Sequence, residues 1–201
     1  MVAMAAVDFF DTQFQRQVAA HEFELNPFER ASLPFLGGSV LDFGCGLGNL
    51  SIEAARRGCP VLALDASPTA VAHLQAMALG ERLPIQVQCV NLRDYAVGRM
   101  FDCVVSIGLL HFLDREHAER QLSMLQSCVL PGGMAAINVL TEGTTYLDLF
   151  DAGSRCLFEV GELAARFAGW DIVHDEASRF EGPQGTRKQF STVVARRRIL
   201  P

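Results

Sequence analysis

Apolar residues gather into short runs along this chain, and between the runs they recur at helical spacing. SVLDF (39–43), VLALD (61–65), IQVQCV (85–90) and FDCVVSIG (101–108) have the length and composition of strands. MAAINVL (134–140), WDIVHDEA (170–177) and QFSTVVARR (189–197) bring the predicted strands to seven. NLSIEAARRG (49–58) shows helical spacing and stops at Gly58. SPTAVAHLQAMALG (67–80) opens with Ser67 as a cap and Pro68 as the first helical residue. A third helical pattern runs from Asp114 to Leu130 and stops at PGG, and a fourth covers GELAARFAG (161–169).

Strands that alternate with helices and are nearly continuous in apolar residues point to a parallel sheet covered on both faces. The last two strands are separated only by the turn GPQG, so they read as an antiparallel hairpin. The fold class expected is therefore α/β: a Rossmann-like, seven-stranded, mostly parallel sheet with helices on both faces and a C-terminal antiparallel hairpin. Residues 1–36 break the alternation. They read as one or two amphipathic helices, with Phe9, Phe10, Phe14, Phe23 and Phe28 at hand to cover something. That divides the chain into a helical cover, 1–36, and a main domain, 37–201.

Composition changes this picture little. Of 201 residues half are apolar and a fifth charged, the balance of one globular domain. Seventeen basic against twenty-three acidic residues give a net charge of −6, without the positive field that nucleic acid demands. The opening MVAMAAVDFF has no basic flank and meets Asp8 early, so no signal peptide is expected, and no apolar run is long enough for a membrane span. Six scattered cysteines form no C-x-x-C pair, which suggests buried thiols in a reducing cytoplasm and no metal.

The chemistry concentrates in VLDFGCGLGNLS (40–51). In a doubly wound sheet, ligands bind beyond the carboxyl ends of the strands where strand order reverses, and the loop after the first strand is that place. A phosphate-cradling P-loop needs a lysine, and none occurs between Asp42 and Gly58. A dinucleotide fingerprint needs a third glycine where Asn49 stands, and Asp42 would repel a pyrophosphate. A cationic ligand suits Asp42 better. S-adenosylmethionine has a sulfonium, an ammonium and no phosphate, and Gly44, Gly46 and Gly48 would let the backbone approach it. Asp65 ends the second strand, twenty-one residues after Gly44, where a carboxylate can accept from both ribose hydroxyls.

DFGCGLG followed by VLALD resembles the first two motifs of class I S-adenosylmethionine-dependent methyltransferases. VNLRDY (90–95), FDCVVSIGLLHFL (101–113) and LPGGMAAI (130–137) resemble the later ones in order. The resemblance implies S-adenosylmethionine as cofactor, S-adenosylhomocysteine as product, and further cofactor contacts from Cys45, Ala66, Asn91, Leu92 and Ser106. The compact length, DFFDTQF (8–14) and FEVGELAARFAGWDIV (158–173) with the final strand are similar to the tellurite-resistance, TehB-like methyltransferases. That likeness implies a tellurium or selenium oxyanion as acceptor. Of the family's substrate-facing His-Arg pair near the last hairpin, only Arg179 is matched here.

Methyl transfer from a sulfonium mainly needs alignment and exclusion of water. His111, just past the fourth strand, reads either as a substrate contact or proton acceptor, or as a half-buried residue helping to cap the next helix, for which Asp114 is the stronger cap. Arg179 reads as a clamp on an anion or as a surface residue. The segment 141–158 is long enough to serve as a lid. The expected partner is a small-molecule methyl acceptor, with neither nucleic acid nor membrane, and the chain a monomer or homodimer. Another O, N or S metabolite, an NAD(P)-binding oxidoreductase and a non-catalytic cofactor-binding protein stay open as alternatives.

Overall fold

The computed structural model describes residues 2–147, 150 and 155–199. Seven strands form one sheet in the order β3-β2-β1-β4-β5-β7-β6. They are β1 (Val40–Phe43), β2 (Val61–Asp65), β3 (Ile85–Cys89), β4 (Phe101–Ile107), β5 (Val129–Leu140), β6 (Asp171–Glu181) and β7 (Arg187–Arg196). The first five run parallel; β7 lies antiparallel between β5 and β6.

Alternation along the central strands divides the core. Leu41, Phe43, Leu62 and Leu64 pack on one face with Leu122, Leu125, Phe158 and Phe167. Val40, Val61 and Ala63 pack on the other with Leu50, Ala54 and Leu74. The first face is covered by α5 (Arg115–Ser127) and the short α6 (Glu162–Ala165), the second by α3 (Asn49–Arg56) and α4 (Pro68–Glu81). Ser67 caps α4 through Ala70 N–H at 3.1 Å, and Asp114 caps α5 through His117 N–H at 3.0 Å.

Three boundaries differ from the sequence expectation. Helix α5 ends at Ser127 and β5 passes through Pro131-Gly132-Gly133, because the bulge between the Phe101 and Cys103 pairings accommodates these residues. The helix expected over 161–169 is confined to four residues after Gly161, whose φ of +81° starts it. The hairpin strand β6 runs on to Glu181.

Ahead of the sheet lie α1 (Val2–Ala20) and α2 (Pro27–Ser32). Asn26 and Glu29 make a reciprocal capping box at the start of α2. Helix α1 is fastened to the start of α4 by Asp11, which accepts from Ser67 Oγ at 2.5 Å and from Thr69 N–H at 3.0 Å. Among the described residues no helix is long and apolar enough to cross a membrane.

Candidate active site

Strand order reverses between β1 and β4, and the loops leaving these strands open into one cavity of about 530 Å³. A hollow of similar size, about 540 Å³, lies at the opposite ends of the strands between Pro60, Pro84 and Arg99. It gathers none of the residues singled out in the sequence. The glycine loop forms one end of the first cavity. Its Gly44 and Cys45 amides donate to Leu64 O at 2.8 and 3.0 Å, binding the loop to β2. Gly48 has φ +78°, and a Cβ there would lie 2.5 Å from Leu74. Gly46 has φ +52° and lies against the Phe14 ring of α1. Gly48 is strained and crowded for any side chain, and at Gly46 the left-handed backbone and the Phe14 ring favour glycine.

Asp65 faces the cavity and is held from two sides: Gly46 N–H donates to Oδ2 and Ser67 N–H to Oδ1, each at 2.8 Å. Burial raises its carboxyl above the usual range, and these amides oppose that rise. Gly44, Cys45, Gly46, Gly48, Ala66, Asn91 and Leu92 line the same cavity. The Cys45 thiol is buried and pushed well above its ordinary pKa, so it stays protonated.

Three expected site residues lie elsewhere. Asp42 is buried behind the loop and does not line the cavity. Its Oδ2 accepts from Ser51 Oγ at 2.6 Å, tying β1 to α3, and burial pushes its carboxyl up to about 6. The side chain of Ser106 is sealed inside the sheet, and its place at the cavity wall is taken by Ile107 and Gly108. Arg179 projects into solvent from the edge strand β6, 55 % exposed and paired with Glu181 at 3.0 Å.

His111 is brought to the cavity in the short 3-10 turn Leu110–Phe112 and is 2 % exposed. Its Nδ1 accepts the Leu140 N–H at 3.1 Å. Burial first, and then the nearby Lys188 charge, hold the ring down to about 3. In the neutral ring the proton therefore sits on Nε2. This corrects the expectation of a proton acceptor: His111 is a fixed donor. It does not cap α5 either, since Asp114 does.

The other end of the cavity comes from residues that sequence reasoning passed over or left without a role. Helix α1 supplies Phe10, Gln13 and Phe14, the α2 region Phe28 and Glu29, and the remainder includes Tyr146, Phe150, Lys188 and Phe190. The capping signature N-P-F-E (26–29) could have located Phe28 and Glu29. The period-2 alternation of β7 puts Lys188 and Phe190 on one face. Burial raises the Glu29 carboxyl to about 7, while Asn26 N–H donates to it at 2.7 Å. Among the described residues no group of three or more His, Cys, Asp or Glu is placed to hold a metal. The lid expected over 141–158 lies partly outside the described residues, at 148–149 and 151–154.

Residues 40–133 match the family model of a methyltransferase domain. A ubiquinone biosynthesis O-methyltransferase of Nitrobacter winogradskyi is 31% identical over 132 residues, covering 64% of this chain and 48% of that protein. The chain spans about half the length of the curated relatives it matches. Among solved structures, TehB from Haemophilus influenzae superposes with a TM-score of 0.75 at 19% identity, over 87% of this chain and 63% of that one. Burkholderia thailandensis 1,6-didemethyltoxoflavin-N1-methyltransferase, solved with its substrate and S-adenosylhomocysteine, gives 0.69 at 20% identity, over 98% of this chain and 89% of that one. Residues 40–133 thus resemble a methyltransferase domain, and the chain shares the fold of these solved methyltransferases.

Proposed function

We propose that the chain transfers a methyl group from S-adenosylmethionine to a small-molecule acceptor bound in the same cavity. The observation that carries this reading is the joining of two unlike halves in one cavity, a glycine loop with Asp65, Asn91 and Leu92, and a chamber of aromatic side chains. The cofactor, when bound, supplies a methyl group already activated on a sulfonium.

The residues present fit it. Glycines at 46 and 48 leave a cradle that a Cβ would strain or fill. Asp65 is pre-oriented by two amides, with lone pairs left for ribose hydroxyls. Ala66 and Leu92 give apolar walls, and Asn91 a polar one, on the side where the resemblance puts the adenine. Helices α1 and α2 line the cavity's other side, which supports reading 1–36 as a cover that keeps water from the acceptor. Six free thiols, five of them buried, support a cytoplasmic setting.

His111 does not remove a proton in this reading. The acceptor is then one that presents an unprotonated lone pair by its own chemistry or loses its proton to another group. A tellurium or selenium oxyanion is the second reading. It is supported by the sequence resemblance and by Lys188, a cation that lines the cavity. Titration calorimetry with S-adenosylmethionine, S-adenosylhomocysteine, NADH and NADPH tests the cofactor. Micromolar binding of the first pair alone is expected; binding of the nicotinamides alone would replace this function with an oxidoreductase.

A further inference from the structure

The acceptor chamber is walled by stacked and edge-on rings from separate segments. Phe10 of α1 meets Phe112 edge-on at a centroid distance of 4.8 Å, and Phe112 stacks on Phe150 at 4.8 Å. Phe28 of α2 lies 4.6 Å from Phe190 of β7. Into this apolar surround β7 brings Lys188, half-buried, with its Nζ 4.5 Å from the centroid of Tyr146. Among the described residues no carboxylate lies within ion-pair distance of it. Of the carboxylates lining the cavity, Glu29 is committed to the Asn26 amide and Asp65 to the Gly46 and Ser67 amides.

A cation withdrawn from water against aromatic rings, with no acid beside it among the described residues, is held at a cost that a bound anion would offset. Desolvation lowers the Lys188 pKa, in keeping with that placement. His111 is a further polar group of the cavity. With Nδ1 occupied by Leu140, it can offer only Nε2–H, so it too favours an acceptor atom. Phenylalanine rings, by contrast, gain from flat apolar surface and give nothing to a small hydrated ion. Because one cavity of about 530 Å³ must hold cofactor and acceptor together, the acceptor is limited to one or two rings.

We propose that the acceptor is a flat aromatic molecule bearing one anionic group, its rings among Phe10, Phe28, Phe112, Phe150 and Phe190 and its anion met by Lys188 and the Nε2–H of His111. The inference rests on the methyltransferase reading and narrows it to a substrate class. It sets that class apart from the chalcogen oxyanions.

The test uses the full chain loaded with S-adenosylhomocysteine. Calorimetry compares 2-naphthoate, its neutral amide 2-naphthamide, and selenite, on the wild type and on Lys188→Met. The wild type should bind the acid about tenfold more tightly than the amide, the scale of one partly buried charge-assisted contact. Lys188→Met should erase that preference while leaving the amide within about twofold. Acid and amide binding equally to the wild type overturns the proposal without any variant, and so does selenite binding with naphthoate left out. Equal weakening of acid and amide by Lys188→Met overturns the role of the lysine. Failure to bind S-adenosylhomocysteine in the first place overturns the methyltransferase reading itself, which keeps the two failures apart.

Discussion

The two halves of the cavity are built by opposite means. The cofactor half is nearly contiguous: Gly44 to Gly48, Asp65 to Ser67 and Asn91-Leu92, held by backbone amides at the ends of adjacent parallel strands. The acceptor half is assembled from α1, α2, the turn at Leu110–Phe112, residues 146 and 150, and β7, and is made of side chains. Backbone geometry fixes the first half and leaves few residue types admissible there. Side-chain packing makes the second, so its occupant can change through substitutions that leave the sheet alone.

The sharpest break in this comparison comes from Gly48→Val. A left-handed backbone at φ +78° strains valine, and a Cβ 2.5 Å from the buried Leu74 side chain forces that side chain to move. We expect a loss of about 3 kcal/mol or more of unfolding free energy together with cofactor binding. Normal thermal unfolding with normal calorimetry would mean the loop is not the rigid half. Asp65→Ala comes next. Removing the acceptor should weaken S-adenosylmethionine by about 1–3 kcal/mol while the acceptor half is untouched; an unchanged dissociation constant removes Asp65 from the ribose site.

His111→Gln sharpens the contrast from the other side, by sparing cofactor affinity and altering the pH dependence of stability. The native ring is held down to about 3 from an ordinary 6.5, so acid favours the unfolded chain, which takes the proton first. The neutral ring's contribution is whole above pH 6.5 and is lost as the pH falls toward 3, by up to about 1.4 kcal/mol per unit. The stability gap between wild type and variant, followed by urea unfolding, should shrink across that window. A constant gap would show that the ring is not buried neutral. Asp11→Ala has the smallest expected effect, about 1 kcal/mol, since it removes one cap and leaves Ser67 capping α4. It should speed proteolysis of α1 with S-adenosylhomocysteine affinity nearly unchanged; an equal loss of affinity would tie α1 to the cofactor half.

How much was legible in the sequence follows the same division. Glycines that need positive φ and an acid at a strand end are local signals, so Gly44, Gly46, Gly48 and Asp65 stand out in the chain by themselves. The strands followed from their apolar runs, and the closing hairpin from GPQG. Asp42 shows the limit. Its spacing pointed to the ligand, but a strand residue alternates faces, and Ser51 claims it on the side away from the cavity. Arg179 and Lys188 stand nine residues apart across one hairpin, and only the pairing register turns the second toward the chamber and leaves the first in solvent. Phenylalanines are equally at home in a core and in a cage, so composition could not assign Phe10 or Phe28.

The position of β7 between β5 and β6 has a consequence for how the chain matures. During synthesis β6 emerges before the strand that will join it to the sheet, because its ladder partner in the structure is β7. For that interval the parallel strands with the glycine loop have left the ribosome, while the wall bearing Lys188 and Phe190 has not. Nascent chains stalled within 171–186 would then carry the cofactor loop without a closed chamber, and β5 would present a bare edge open to chaperones or to another chain.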